Sequence, residues 1–203
     1  MQENNMKYDS QYYILRENHE SGAYMLGHTE GTDEGLFHLM SLRSISRRVL
    51  APGKVKVYDG DTSKFFPCDY HETAKQLISE RFKKSLSQFD LPGVDYYETH
   101  IINDGKVWKE HYFMHIWNHH KAIHHGRSKI DGTYVDDDFT LEVLSLDENV
   151  LDIIPLEQRL VFTLEEKPKF LFHETVVQAL REANLTGLSF QRVDEWSIGS
   201  AFE

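Results

Sequence analysis

Six of the twelve histidines lie between positions 111 and 125, where imidazole groups could bind a transition metal. On a helix, His111, His115 and His119 would share one face at four-residue spacing, as metal ligands can. The aromatic and β-branched residues around them favour a strand, on which only His111 and His115 share a face, too far apart for easy joint ligation. No His-Glu-x-x-His pattern is present. We therefore predict no native metal and no cofactor, and expect only adventitious nickel or zinc binding by His119-His120 and His124-His125.

Cys68 is the only cysteine, so the chain has no intramolecular disulfide. A thiol with His71 nearby could act in nucleophilic catalysis, but proximity in sequence does not establish the geometry that this chemistry needs. A structural thiol is the simpler interpretation. Because no Gly-x-Ser-x-Gly pattern is present either, we predict no catalytic residues and a protein that is not an enzyme.

A run of three carboxylates, Asp136, Asp137 and Asp138, allows three interpretations. It could hold a hard cation, although it lacks the glycine and the distal glutamate of a calcium loop. It could be a solvated acidic loop, or a docking patch for a basic partner. In the last case, the predicted partner-binding residues are this run together with His119, His120 and Trp196, although the tryptophan could equally lie in the core.

The overall charge narrows the class of partner. The 203 residues carry 33 acidic and 22 basic side chains, which gives a formal charge of −11. Such a surface repels nucleic acid and anionic membranes and favours basic proteins. The N-terminus has no apolar signal core, and no run is long enough to span a bilayer. We therefore expect a cytoplasmic protein with no nucleic-acid or membrane partner; its oligomeric state is not predicted.

Hydrophobic periodicity predicts the elements that must position these residues. Apolar residues at helical spacing predict one long helix over 72–89, followed by strands over 94–102 and 106–117 joined by a hairpin turn at Asp104-Gly105. Shorter strands are predicted at 12–15, 55–57, 139–146 and 160–164, with a helical turn beginning at Asp147. The helix over 174–183 ends before Gly187, where the chain turns into a last strand over 188–193.

This order lacks regular β-α-β alternation, so we predict an α+β fold: a mixed, mainly antiparallel sheet packed against one long helix and a C-terminal helix. No linker rich in Pro, Gly or Ser divides the chain. Residues 1–69 are expected to contribute N-terminal strands and loops, which could form a small lobe, and 70–203 the main α+β domain. One compact unit is the simplest arrangement.

Several segments in the second half share their order and spacing with a known family. These segments are 78–82 (ISERF), 91–94 (LPGV), 111–118 (HYFMHIWN), 154–162 (IPLEQRLVF), 172–183 and 186–190 (TGLSF). Over about residues 70–196 the chain resembles the Imm11 type of bacterial immunity protein, whereas 1–69 match only loosely. Members of that family are encoded beside polymorphic toxins, including type VI secretion effectors. The resemblance implies that Pro155, Arg159, Thr186 and Gly187 maintain the fold.

The resemblance also implies a non-enzymatic protein that binds and neutralises one cognate bacterial toxin, protecting the producing cell and its kin. The acidic surface favours a basic toxin, such as a nuclease. The histidine pairs of the 119–125 region depart from the family pattern, which would suit a toxin-specific surface. The alternative is a metal-dependent enzyme that uses the 111–125 histidines, and a third possibility is a regulatory domain with a host-cell partner.

Overall fold

Short strands, most of them antiparallel, form most of the regular structure. The computed structural model describes residues 6–18, 24–29, 43–44, 52–72, 76–133 and 139–200. The strands are β1 (Tyr12–Glu17), β2 (Met25–His28), β3 (Gly53–Asp59), β4 (Tyr70–His71), β5 (Leu77–Ser79), β6 (Val94–Asn103), β7 (Lys106–Ile116), β8 (His119–His120), β9 (Lys129–Gly132), β10 (Phe139–Val143), β11 (Val161–Leu164), β12 (Phe170–His173) and β13 (Leu188–Arg192). The helices are α1 (Glu80–Leu86), α2 (Glu148–Leu151) and α3 (Glu174–Glu182).

The six-stranded sheet has the order β2-β3-β6-β7-β5-β4 and is built on the β6–β7 hairpin. Asp104 (φ 46°) and Gly105 (φ 77°) form its turn, and positive φ at both central residues is what a tight two-residue hairpin requires. This confirms the predicted hairpin. In β3 the buried Val55 and Val57 alternate with exposed lysines, because only one face of this strand meets the core.

The five-stranded sheet has the order β13-β1-β12-β11-β8, and β9 pairs with β10 in a separate hairpin. Among the strands that the structure describes, only β3–β6 and β11–β8 are parallel pairs. The α+β prediction with mostly antiparallel pairing is therefore confirmed within the described residues. β1 lies between β13 and β12, and β3 pairs with β6, so the described N-terminal strands belong to the same sheets as the later chain. We propose that the whole chain folds as one unit.

The predicted long helix over 72–89 is wrong in its length. The helix α1 covers only Glu80–Leu86, and the residues before it form β5, which pairs with β7. All three residues of β5 are buried, and this makes them suitable for a covered strand as well as for a helix face. Gln76 has a φ of 61°, and the extended Ser79 accepts a hydrogen bond from the N–H of Phe82, which fixes the start of the helix.

The C-terminal helix α3 is confirmed. Val176, Val177 and Leu180 are buried on its apolar face, and the side chain of His173 accepts a hydrogen bond from the N–H of Thr175 at the helix start. The core cluster that contains this face also includes residues of both larger sheets and of α1, such as Phe172, Met114 and Phe82. One hydrophobic core therefore joins the two sheets through the helices.

A second connection between the sheets is polar and centres on Asp69. Its Oδ1 accepts a hydrogen bond from Ser79 Oγ at 2.6 Å, and its Oδ2 accepts from the N–H of Thr186 at 2.8 Å and from Arg81 Nη1 at 3.0 Å. The backbone N–H of Asp69 also donates to the Thr186 carbonyl at 3.0 Å. These bonds join the β4, β5 and α1 region to the turn before β13.

This junction requires glycine at position 187. Gly187 has a φ of 79°, and a Cβ atom there would lie 2.4 Å from Cys68 Cβ and 3.0 Å from the Tyr70 carbonyl. Gly105 has nearly the same φ, 77°, but a Cβ atom there would have no neighbour within 4 Å. Comparing alanine variants at the two positions therefore separates the cost of the strained backbone from the cost of the steric conflict at the junction.

We expect Gly187→Ala to destabilise the fold more than Gly105→Ala. Both variants incur roughly 1–2 kcal/mol for the left-handed backbone, and only Gly187→Ala adds about 1–3 kcal/mol of overpacking against Cys68. Urea unfolding monitored by circular dichroism measures both free energies. Equal losses in the two variants would show that close packing at Cys68 does not constrain this turn.

Candidate partner-binding site

The histidine segment forms the end of β7, as its aromatic and β-branched neighbours predicted, then the short strand β8, which was not predicted, and a turn. His111 and His115 lie on β7, opposite Thr99 and Asp95 of β6, and both side chains are buried. His119 and His120 form β8, beside β11. Within the described ranges, no three His, Cys, Asp or Glu side chains converge where they could hold a metal ion. The metal-dependent alternative therefore gains no ligand set from this part of the structure.

His111 is held in its neutral form by its surroundings. Its side chain is only 6% exposed, and burial lowers its pKa to about 4. The neighbouring His71 acts in the same direction, whereas a hydrogen bond to the backbone of Cys68 and the charge of Asp69 oppose it. His111 is thus uncharged near pH 7 and contributes to packing rather than to a charged site.

The side chain of His71 is used to join strands and not to activate Cys68. Its Nε2 accepts a hydrogen bond from the backbone N–H of Cys68 at 3.1 Å. Because Nε2 is the acceptor, Nδ1 carries the proton and donates to Glu17 Oε1 at 3.0 Å. Glu17 belongs to β1 and His71 to β4, so the pair links the two larger sheets. No ring nitrogen is left to take a proton from the thiol, which favours the structural interpretation of Cys68.

The pair His124 and His125 contributes to an open recess of about 570 Å³. Glu166, Asp147, Lys121 and Phe139 also line it, so both charge signs are present. Glu166 Oε1 accepts a hydrogen bond from the N–H of Ile123 at 3.3 Å, and burial raises the pKa of its carboxyl. The recess is directly connected along the chain to the acidic run, because Phe139 follows Asp138.

The structure separates the predicted partner-binding residues into three kinds of position. Asp136, Asp137 and Asp138 lie outside the described residues. His119 and His120 are half-buried, and the ring of His120 lies 5.0 Å from that of Phe162. Trp196 is only 4% exposed and belongs to a core cluster, with Lys169 Nζ 5.0 Å from its ring. This position gives Trp196 a structural role, and we do not retain it as a partner contact.

Sequence reasoning missed an exposed apolar turn after α2. Ile153 is 82% exposed and Leu156 is 42% exposed. The feature of the sequence that could have drawn attention to this region is its charge, because residues 130–158 contain no Lys, Arg or His. We call this range the acidic segment. Its nine carboxylates carry nine of the eleven net negative charges of the chain, and they are Asp131, Asp136, Asp137, Asp138, Glu142, Asp147, Glu148, Asp152 and Glu157.

Comparison with known proteins identifies the family. The sequence model of the Imm11 immunity protein family matches residues 44–195, which is most of the chain. The chain belongs to the Imm11 immunity protein family. The match begins well before residue 70, so it includes β3 as well as the later elements. No curated protein matches the sequence.

Membership of the Imm11 family suggests a function in toxin immunity and, with it, a role other than catalysis. Besides Gly187, two of the positions expected to maintain the fold have clear structural roles. Arg159 donates to the Ile154 carbonyl at 2.9 Å and to Tyr12 Oη at 2.9 Å, and Thr186 donates to Asp69. None of the helices in the described parts of this Imm11 protein is long and apolar enough to cross a membrane.

The lowered pKa of His111 predicts a loss of stability in mild acid. The unfolded chain binds a proton at this histidine near pH 6.5, but the folded chain does so only near pH 4. Its contribution is therefore fully present above pH 6.5 and is lost as the pH falls to 4, by about 3 kcal/mol. Unfolding free energies measured across this range should fall more steeply for the wild type than for His111→Gln.

Thr99, which lies opposite His111 on β6, supplies the control. Thr99→Ser should keep the wild-type pH dependence, because it changes the same packed pair without removing a titratable group. Burial raises the pKa of some groups, such as Glu166, and these groups stabilise the folded protein as the pH falls. They are present in all three proteins and do not affect the comparison. Parallel curves for the wild type and His111→Gln would contradict the assignment.

Proposed function

We propose that this protein neutralises a cognate bacterial toxin by binding it directly, without changing it chemically. The observation that carries the proposal is membership of the Imm11 family over residues 44–195. His71, His111 and Cys68 support it, since they are used in packing and in hydrogen bonds that join strands. The toxin would be delivered by a polymorphic system such as type VI secretion, and this protein would protect the producing cell and its kin from within the cytoplasm.

Charge supports a basic toxin as the partner. A formal charge of −11 creates a field that attracts cationic proteins and speeds their encounter. Complementary charges fix orientation and exclude wrong partners more than they increase affinity. A toxin that acts on nucleic acid would have a basic surface of this kind.

We place the contact on the side of the molecule that carries β8 and the β9–β10 hairpin. His119 and His120 form the edge strand of the five-stranded sheet there, and the adjoining 119–125 region leads into the recess beside Phe139. Asp136, Asp137 and Asp138 belong to the connection between β9 and β10. Effective neutralisation needs roughly nanomolar affinity, about 12 kcal/mol, which an interface of about 1,600 Å² supplies when a few central anchors are well packed.

Binding to the product of the adjacent gene tests the proposal. Co-expression should rescue cells from the toxicity of that product, and the two purified proteins should form a stable complex. Absence of both the complex and the rescue would contradict the proposed function. A complex without rescue would also contradict it, because neutralisation is the property proposed.

The acidic run provides a sharper test of where the toxin binds. Replacing Asp136, Asp137 and Asp138 together with Asn should slow association with the toxin at least tenfold at low salt. The matched control replaces the exposed Asp59, Asp90 and Asp104 with Asn, which changes the net charge equally. If stopped-flow association rates fall equally in the two variants, the slower association is caused by the change in overall charge, and this hairpin is not the toxin-binding surface.

A further inference from the structure

A recess of about 510 Å³ lies where β7, the start of α1 and the chain before β4 meet. This volume is within the range of sites that bind small molecules. Phe66, Pro67 and Trp108 supply apolar surface to it, and His111 also lines it. We call this cavity the Trp108 recess. Two aromatic side chains in its lining favour a planar ligand.

A β-bulge in β7 places Trp108 and His111 on the same side of the sheet. His111 lies opposite Thr99 of β6, and Trp108 lies opposite Ile101, so three residue steps on β7 face two on β6. Residues three apart in a regular strand point to opposite faces, and the extra residue of a bulge returns them to one face. Phe65 holds the Trp108 indole in place, with the ring centres 5.5 Å apart. The bulge therefore combines an aromatic ring and an imidazole in one surface.

His111 supplies a hydrogen-bond acceptor that the described parts of the chain do not use. Its side chain is 6% exposed, and its Nδ1 has no hydrogen-bond partner there. The N–H of Cys68 donates to His71, so the bond between His111 and the Cys68 backbone goes to the carbonyl, and His111 donates it. Because a neutral imidazole has one donor and one acceptor, Nε2 carries the proton and Nδ1 is the acceptor. Buried acceptors are paired in folded proteins, so the donor comes from solvent or from a molecule in the recess.

The charges around the Trp108 recess are mixed. Lys64 and Arg81 line it, and each forms an ion pair with a nearby aspartate, at 2.9 Å and 3.0 Å. Glu80 and Glu110 add two carboxylates to the lining. A charged ligand of either sign would meet both like and opposite charges, so no single-signed field selects it. The recess therefore favours a neutral ligand.

We propose that the Trp108 recess binds a neutral aromatic group that carries one N–H or O–H donor, as indole and phenol rings do. The ring packs against Trp108 and Phe66, and its donor bonds to His111 Nδ1. A buried acceptor discriminates against an analogue without the donor, because the acceptor is then left unpaired. This inference goes beyond the proposed function and does not depend on toxin binding.

Indole and benzofuran test the inference, because they differ only in the N–H that an oxygen replaces in benzofuran. Nuclear magnetic resonance titration of the intact chain should show indole binding about tenfold or more tightly than benzofuran. The Nδ1 resonance of His111 should shift with indole and not with benzofuran. Equal affinities, an unchanged Nδ1 resonance, or no binding of indole would overturn the inference.

A pair of exposed apolar residues supplies matched variants. Phe66 is 74% exposed and Ile153 is 82% exposed, so serine at either position should leave the unfolding temperature unchanged. Phe66→Ser should weaken indole binding by about 3–10-fold, because it removes one aromatic wall of the recess. Ile153→Ser, which lies outside the recess, should bind indole as the wild type does. Equal weakening in the two variants would contradict the assignment of the site.

The product of the adjacent gene, added to the indole-loaded protein, distinguishes two sources of the aromatic group. Displacement of indole by the bound toxin assigns the group to a tryptophan or tyrosine side chain of the toxin. Retention of indole in the toxin complex assigns it to a free small molecule. If the toxin does not bind at all, the proposed function fails, while the indole titration still decides the site.

Discussion

The arrangement of the two larger sheets depends on the hydrogen bonds that the Asp69 carboxylate accepts. This carboxylate accepts hydrogen bonds from Ser79, Arg81 and Thr186, and so joins β5 and α1 to the turn that leads into β13. Arg81 extends the junction by donating to the carbonyls of Ala183 and Asn184 at the end of α3. A buried carboxylate is stable only when its lone pairs are satisfied, so these elements are held in one mutual position.

A fixed relation between the sheets is what a protein-binding surface requires. The apolar core that contains Phe82, Met114 and Phe172 provides the free energy for this arrangement, and the Asp69 junction together with the His71–Glu17 pair makes it specific. The acidic segment lies partly on another core cluster, where Leu141, Leu144 and Leu151 are buried. The described part of the segment is therefore fixed to the core at these three leucines.

The sequence predicted an element correctly where local signals and the burial pattern agreed. The Asp104-Gly105 turn requires positive φ, and the spacing of Val176, Val177 and Leu180 fits only a helix, so both elements were predicted correctly. The 72–89 helix was overextended because Leu77 and Ile78 suit a covered strand equally well, and pairing with the distant β7 decided between the two. Local periodicity contains no information about such a pairing.

The candidate site was predicted less completely. The run of three aspartates drew attention to 136–138, whereas the sequence contains no Lys, Arg or His over the longer range 130–158. Neighbouring isoleucines cannot be distinguished by type, yet Ile153 is exposed and Ile154 packs on the core. Likewise, Trp196 suited an anchor or a core position equally, and tertiary packing placed it in the core.

Titration of the toxin's activity with this protein tests the central claim, binding without chemistry, most directly. The account predicts that activity falls in proportion to the amount added, reaches zero at a fixed stoichiometry, and returns in full when the complex is dissociated and the toxin is recovered unmodified. Complete inactivation by far less than a stoichiometric amount, persisting after separation, would show that this protein acts on the toxin as an enzyme and would contradict the account.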